Sequence, residues 1–277
     1  MRLLRPVLAC SFLSFAFAAS AADLDLRVPQ PAAAPDDWIV TVRAKALLSP
    51  DYPGSKDLGF IAYPALSLRK ASTPATFSAP DDNISLALFD KGWLKAGPVG
   101  KFISRRCACD HPELFGIHNV GWGVELGGFV EIWPSDRFRT RFELRQGIGG
   151  HGGLVGTVAA DYVQPFGNWT FSLGPRLNIV SNQFANTYFS VTPWEAAFNG
   201  RATPFKASGG FESIGATAAA TYQWSPSWAT TGFVRYERLV GDAGRSPISG
   251  VLGSRNQWTI GGNIAYSFSM KPLVDWF

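Results

Sequence analysis

Trp122 to Gln146 reads WGVELGGFVEIWPSDRFRTRFELRQ, two candidate strands about a tight turn at Pro134-Ser135-Asp136. After the turn, Phe138, Thr140, Phe142 and Leu144 alternate with Arg137, Arg139, Arg141, Glu143 and Arg145. A period of two puts one set on each face of a strand, whereas a helix would scatter both around its axis. Before the turn, Val124, Leu126, Gly128, Val130 and Ile132 share a face, and Glu125 and Glu131 lie on the other, opposite the arginine row. One face of the hairpin is oily and the other ionic. If the oily face meets lipid, a one-residue slip would push four arginines into hydrocarbon, at roughly 2 to 4 kcal/mol each near the midplane.

A soluble sheet shows the same alternation when its charged face meets water, so repetition along the chain decides between the two. The pattern recurs from Trp38, with Thr41, Arg43 and Lys45 on the polar side, and at Leu154 to Tyr162 with Thr157 and Asp161. It recurs again at Trp169 to Ile179 with Arg176 and Asn178, at Ile214 to Tyr222, at Trp228 to Tyr236 with Arg235 and Glu237, and at Trp258 to Phe268. Connections alternate long and short, as outer loops and periplasmic turns do in a membrane barrel. Aromatics gather at the short turns: Phe89 and Trp93, Trp133 and Phe138, Phe166 and Trp169, Trp224 and Trp228. Rings of this kind settle where hydrocarbon meets headgroups. The expected fold is all-β, an antiparallel transmembrane β-barrel with short periplasmic turns and longer outer loops. A periplasmic N-terminus requires an even number of crossings, met at about twelve if Ala75–Ala79 and Asn83–Phe89 are two short strands, with about ten as the alternative.

Residues 1–21 read as a removable signal peptide, with Arg2 and Arg5 before an apolar run and a small-residue Ala19-Ser20-Ala21 site. Residues 22–37, carrying Pro29, Pro31 and Pro35, form an extended periplasmic lead-in, 38–268 the barrel, and 269–277 a C-terminal extension. The net charge of +4 over 277 residues is small and dispersed, and export argues against a nucleic-acid partner. Cys107 and Cys109 lie one residue apart before His111, without the fourth ligand and spacing of a metal site. In an oxidising compartment they form a disulfide or an unpaired pair in a loop.

Several stretches resemble the MltA-interacting protein/OmpV family of Gram-negative outer-membrane proteins. They are Tyr52-Pro53-Gly54-Ser55, Leu86-Ala87-Leu88-Phe89-Asp90, and Tyr188-Phe189-Ser190-Val191-Thr192 with Glu195-Ala196. The most specific is Arg238-Leu239-Val240-Gly241-Asp242-Ala243-Gly244-Arg245-Ser246-Pro247-Ile248, close to the family's R-L-x-G-D-A-x-x-S-P. The resemblance implies a barrel that, in the family's namesake, holds a murein-cleaving lytic transglycosylase near a murein synthase; other members are described as adhesins or porin-like. Tyr266 and Phe268 resemble the terminal-strand signal read by the barrel-assembly machinery, although Ser269 to Phe277 follow where the family's chains end. Read from its own residues, the Arg238–Ile248 stretch is a self-bracing outer loop, with Gly241 permitting a turn, Asp242 capping backbone donors and Pro247 holding Ser246 extended.

A hydrolase in the barrel would need a nucleophile bonded to a base. His111, His118 and His151 fall in predicted outer loops, and no spacing ties Ser104, Ser181 or Ser190 to them, so no catalytic residue, metal or cofactor is assigned; His151 is the one to test. The ionic lumen remains as the candidate site: Arg137, Arg139, Arg141, Arg145, Arg176 and Arg235 facing Glu125, Glu131, Glu143, Asp161 and Glu237. It reads as a salt-bridged brace or as an anion-favouring pore lined by surplus arginine. The expected function is a non-enzymatic outer-membrane scaffold for periplasmic murein-processing enzymes, with a small-solute channel or surface adhesin as the alternative.

Overall fold

The structure is a computed structural model and describes residues 31–34, 36–73 and 75–271. The signal peptide, most of the lead-in and residues 272–277 lie outside the described residues. The wall is a twelve-stranded antiparallel sheet. Its strands are β1 (Trp38–Pro50), β2 (Leu58–Lys70), β3 (Ile84–Ser85), β4 (Phe89–Asp90), β5 (Leu94–Ile103), β6 (Gly123–Ser135), β7 (Phe138–Gly149), β8 (Leu154–Phe166), β9 (Trp169–Val180), β10 (Gly210–Gln223), β11 (Trp228–Leu239) and β12 (Asn256–Met270). Neighbours from β5 to β12 pair in chain order, and β1 pairs with both β12 and β2, so the sheet wraps into a nearly closed barrel. Ser269 and Met270, assigned from sequence to a C-terminal extension, instead continue β12 opposite Ile39 and Trp38.

The alternation that predicts the hairpin also fixes its faces. Arg139, Arg141, Glu143 and Arg145 of β7 are buried, whereas Phe138, Phe142 and Leu144 are exposed. Across the ladders Arg141 lies opposite Glu131, and Arg139 opposite Asp161. Exposed apolar side chains continue round the wall, through Leu173 on β9, Ile214 on β10 and Ile260 on β12, and form the surface that lipid covers. The expected aromatic rim is present at the short turns except at Trp133. There the β6–β7 register shifts between Ile132 and Ser135, and the half-buried Trp133 donates its indole N–H to Glu131 (2.9 Å) instead of facing outward.

The expected strand at Ala75–Ala79 does not form. Both short strands, β3 and β4, fall in the next segment and pair with β5, with Leu86 and Leu88 completing a ladder to Pro98 and Ala96. Followed round the antiparallel ladders, β2, β3 and β4 all run from the loop end to the turn end, so the chain must climb back between them. It does so inside the barrel. Residues 75–83 contact Lys95 through Thr76, Lys45 through the Pro80 carbonyl (3.2 Å), and Glu143 through Asn83 (2.7 Å). The upward pass that parity demands is made through the lumen, and a seam without a ladder separates β2 from β3 and β4.

At the other end the long connections pack into a cap. Tyr52, Leu114, Ile117, Val120, Phe184, Tyr188, Phe189, Val191, Ala243, Ile248 and Leu252 form one buried cluster drawn from four loops. Within it, α1 (Asn182–Phe189) is capped by Ser181, and α2 (Pro193–Asn199) opens on a reciprocal Thr192–Glu195 capping box and ends at Gly200 in the left-handed region. A third short helix, α3 (Gly241–Arg245), starts from Gly241 (φ +53°), where an added Cβ would also stand 2.8 Å from the Phe211 carbonyl oxygen.

Candidate functional site

The lumen is crossed by a continuous ionic network. At its outer end Arg145 donates to Glu125 (2.7 Å) and pairs with Glu143, while His151 Nε2 meets the other oxygen of Glu125 (3.1 Å). Lower down, Arg141 donates to Glu143 (2.7 Å) and Glu131 (3.3 Å), and its guanidinium lies 3.9 Å from the centre of the Phe129 ring. Arg139, wholly buried, donates to Asp161 and Glu131 (2.8 Å each) and to Asp82. Arg176 grips Asp81 with two bonds (2.9 and 3.0 Å) and reaches Asp161 at 2.8 Å, and Thr217 adds a third bond to Asp81 (2.7 Å). On the far wall Arg235 pairs with Glu237 at 3.2 Å.

Ten of the eleven residues expected to line the lumen join this network. Arg137 does not: it sits in the β6–β7 turn and donates to Gln164 (3.3 Å), because the strand begins one residue later and its side chain clears the lumen. The decisive residues that sequence reading missed are Asp81 and Asp82. They hang from the inner segment, and their carboxylates land between the arginines of β7 and β9. With them in place, the surplus of arginine expected from the strands is gone, and so is the basis for an anion-favouring lining. A charge buried in a narrow, poorly hydrated space demands such pairing. Every guanidinium of the lumen network has at least one carboxylate partner.

Three of the four family-like stretches meet in the cap, whereas Leu86–Asp90 lies in the wall against β5. Ser246, fully buried, donates to the Phe189 carbonyl (2.6 Å) and accepts from the Ile248 N–H (3.1 Å). Asp242 accepts from the Ser208 N–H (2.7 Å) and pairs with Arg245, Pro247 precedes the helical turn Ile248–Leu252, and Arg238 donates to Asn256 (3.0 Å). Gly54 and Ser55 bond Gln257, which clamps the first loop to the last. At the centre lies another residue the sequence did not reveal. Arg106 is fully buried and donates to the carbonyls of Tyr188 (2.7 Å), His118 and Thr187 (3.2 Å each). Burial pulls its guanidinium down to about 10, so it stays a cation at neutral pH. Burial pushes the Glu195 carboxyl up, but bonds from the Thr192 and His118 backbone and side chains outweigh that and bring it to about 2.

The three histidines and three serines are not brought together. His151 donates to Glu125 through Nε2 and accepts from the Gly153 N–H through Nδ1, and it packs edge-on to Phe184. Both nitrogens are occupied in bracing. His118 bonds Glu195 (2.6 Å), while Ser104 donates to a backbone carbonyl, Ser181 accepts from the Phe184 and Leu154 N–H groups, and Ser190 donates to Asn186. Cys107 and Cys109 are joined as a disulfide, with Cα atoms 5.2 Å apart.

A lipid-facing wall, a lumen crossed by paired charges and an outer cap define an outer-membrane β-barrel protein. The profile of the family described as "MltA-interacting protein MipA" matches residues 42–268, and the chain belongs to that family. No curated protein matches the sequence. Among solved structures it is similar to a bacterial polysaccharide outer-membrane secretin (8% identity, TM-score 0.40, covering 85% of this chain and 100% of that one). It is also similar to an outer-membrane channel from Pseudomonas putida F1 (11%, 0.37, 86% and 97%) and to the CymD monoaromatic hydrocarbon channel (10%, 0.35, 86% and 90%). At these values the likeness carries no argument about function.

Proposed function

We propose that this protein is a non-enzymatic docking scaffold of the outer membrane, exported by its signal peptide, inserted by the barrel-assembly machinery through the strand that carries Tyr266 and Phe268, and serving periplasmic murein-processing enzymes. The observation that carries the reading is an inner segment held across the lumen beneath a packed cap. Asp81 and Asp82 lock an inner segment to Arg176 and Arg139, and a packed cap covers the outer mouth, so the barrel offers surfaces in place of a passage. On this reading the lumen network, including Glu125, Glu131, Glu143 and Arg145, braces the wall. The family's description as an MltA-interacting protein supports an enzyme partner; the resemblance implies a lytic transglycosylase, with a murein synthase alongside it. Such a partner would meet the turn rims, the lead-in and the C-terminal tail.

Two measurements on purified protein test this together. In planar bilayers the protein is expected to be electrically silent, and affinity capture from detergent extract is expected to recover a murein-cleaving enzyme. A reproducible anion-selective current with no murein enzyme recovered would replace the scaffold by a small-solute channel. Binding of host-surface components to the cap, with neither current nor enzyme, would replace it by an adhesin.

A further inference from the structure

A second cluster of titratable groups lies on the outer rim, apart from the lumen network. His111 is buried, with Tyr52 edge-on to its ring at 5.0 Å. Three carboxylates converge on it: Asp51 Oδ2 stands 3.6 Å from Nε2, and Asp57 Oδ2 and Glu113 Oε1 stand 3.8 and 3.9 Å from Nδ1. The ligating atoms of Asp57, His111 and Glu113 all lie within 4.8 Å of one another. None of these separations is a hydrogen bond, for which N–H···O distances run to about 3.2 Å. Glu113 is the telling member. Its side chain is 8% exposed, and the Oε1 aimed at His111 has no hydrogen-bond partner. A buried carboxylate oxygen left unpaired in this way is costly, and two further carboxylates beside it add repulsion. Burial raises the Asp51 carboxyl; His111 opposes this, while Asp57 and Asp110 add to it.

We propose that Asp57, Glu113 and His111 Nδ1 form a site for a divalent first-row transition ion such as zinc or manganese, with Asp51 receiving the His111 Nε2–H from outside the coordination shell. Two carboxylates cancel the charge of the ion, and one imidazole with two oxygens suits these metals. Ligand distances of roughly 2.0 to 2.2 Å put neighbouring donor atoms roughly 3.3 to 3.6 Å apart in a tetrahedral shell, so the two His111–carboxylate distances close by a few tenths of an ångström and the two carboxylates, within 4.8 Å of each other, by up to roughly 1.5 Å. A carboxylate on the far nitrogen is the usual way a ligating imidazole is oriented, and Asp51 stands there. Asp57 is about half exposed, which leaves coordination positions open to water.

The position gives the site a task. Asp51 and Asp57 belong to the loop joining β1 to β2, and His111 and Glu113 to the loop joining β5 to β6. Of those strands β2 borders the seam where no ladder closes the wall, and β5 carries β3 and β4, which border it on the other side. Apart from the cap's apolar contacts, Ser104 donating to the Asp51 carbonyl (3.2 Å) is a polar link across it. A metal held by both loops fastens the barrel at its outer rim over that gap.

The test uses full-length protein folded in detergent, stripped with a chelator and titrated with Co²⁺ as a spectroscopic probe. One equivalent is expected to bind with the visible d–d bands of a nitrogen–oxygen site and without thiolate charge-transfer absorption. Zn²⁺ in equal amount should displace it and Ca²⁺ should not, and binding should raise the unfolding temperature. His111→Gln and Asp57→Asn should each weaken binding by roughly 100-fold or more, and Asp51→Asn by roughly 10- to 100-fold. Asp57 is exposed enough that its variant keeps the fold, which heat-dependent electrophoretic migration checks. A Cys107→Ser/Cys109→Ser variant should bind as well as the parent. The proposal is overturned if no single-equivalent binding is seen, if Asp57→Asn binds like the parent, if the cysteine variant loses binding, or if Ca²⁺ displaces the cobalt.

Discussion

Asp81→Ala removes the main tether of the inner segment, and its consequence follows from the contacts. Asp81 takes two bonds from Arg176 and one from Thr217. Each hydrogen bond to a charged group contributes roughly 1.5 to 3 kcal/mol. Arg176 keeps Asp161 at 2.8 Å and the carbonyls of Ala160 and Pro175 at 3.0 Å, so its charge is not orphaned when Asp81 goes. The expected loss is about 3 kcal/mol, at the low edge of the roughly 3 to 5 kcal/mol for breaking a buried pair. Arg176→Ala takes this cation from both carboxylates, leaving Asp161 to Arg139 and Asp81 to Thr217, and falls within the same range. Because the two share bonds, the double variant should be less destabilised than the sum, by about 2 kcal/mol. Urea unfolding of protein folded into lipid vesicles, followed by the fluorescence of its 10 tryptophans, gives all four corners of the cycle. A coupling under about 0.5 kcal/mol would mean that Asp81 is not held by Arg176, and the plug argument would fail with it.

Three further outcomes follow from the same contacts. Arg139→Ala should cost roughly 3 to 5 kcal/mol, since it leaves Asp161, Glu131 and Asp82 without their shared cation, whereas Arg137→Ala in the turn should stay within about 0.5 kcal/mol. Equal costs in that unfolding assay would contradict the inward assignment. Glu195 is held below its ordinary 4.5, so its contribution to the cap is present above about pH 4.5 and lost as pH falls toward 2; amide exchange in 182–209 should accelerate over that window in the parent and show no such step in Glu195→Gln. At Gly253 an added Cβ would stand 1.9 Å from the Gly54 carbonyl oxygen, so Gly253→Ala must part the two loops and cost roughly 1 to 3 kcal/mol. Gly232→Ala, with nothing within 4 Å, should leave the unfolding temperature nearly unchanged.

What could be read from the sequence was what depends on local period. Arg139, Arg141, Glu143 and Arg145 announce their face because a strand offers two faces and the neighbours Phe142 and Leu144 are unmistakably apolar. Arg137 and Trp133 went astray for a local reason too, since a turn and a register shift end the period just where each sits. Asp81 and Asp82 carry no such mark. Thr76, Phe77 and Ser78 alternate like a short wall strand, and alternation does not say whether the strand lies in the wall or behind it. Arg106 and the group around His111 were invisible for another reason. Their partners are backbone carbonyls, or the carboxylates of Asp51 and Asp57 on another loop, and no spacing rule connects them.

The parity of the crossings links these failures to the function. An even count was required, and the wall supplies one upward pass too few between β2 and β3; the chain makes that pass with 75–83 and leaves β2 unpaired along the seam. An unpaired edge in lipid costs several kcal/mol for each unsatisfied group, so a barrel that only needed to span the membrane would gain by moving the segment into the wall. Residues 75–83 stay inside, where Asp81 and Asp82 meet Arg176 and Arg139, and withdrawing them would leave those buried cations short of a partner. The cost of the open seam is therefore borne to keep the bore filled. That is intelligible for a protein whose work is done on its rims, and hard to reconcile with one that passes solutes through its lumen.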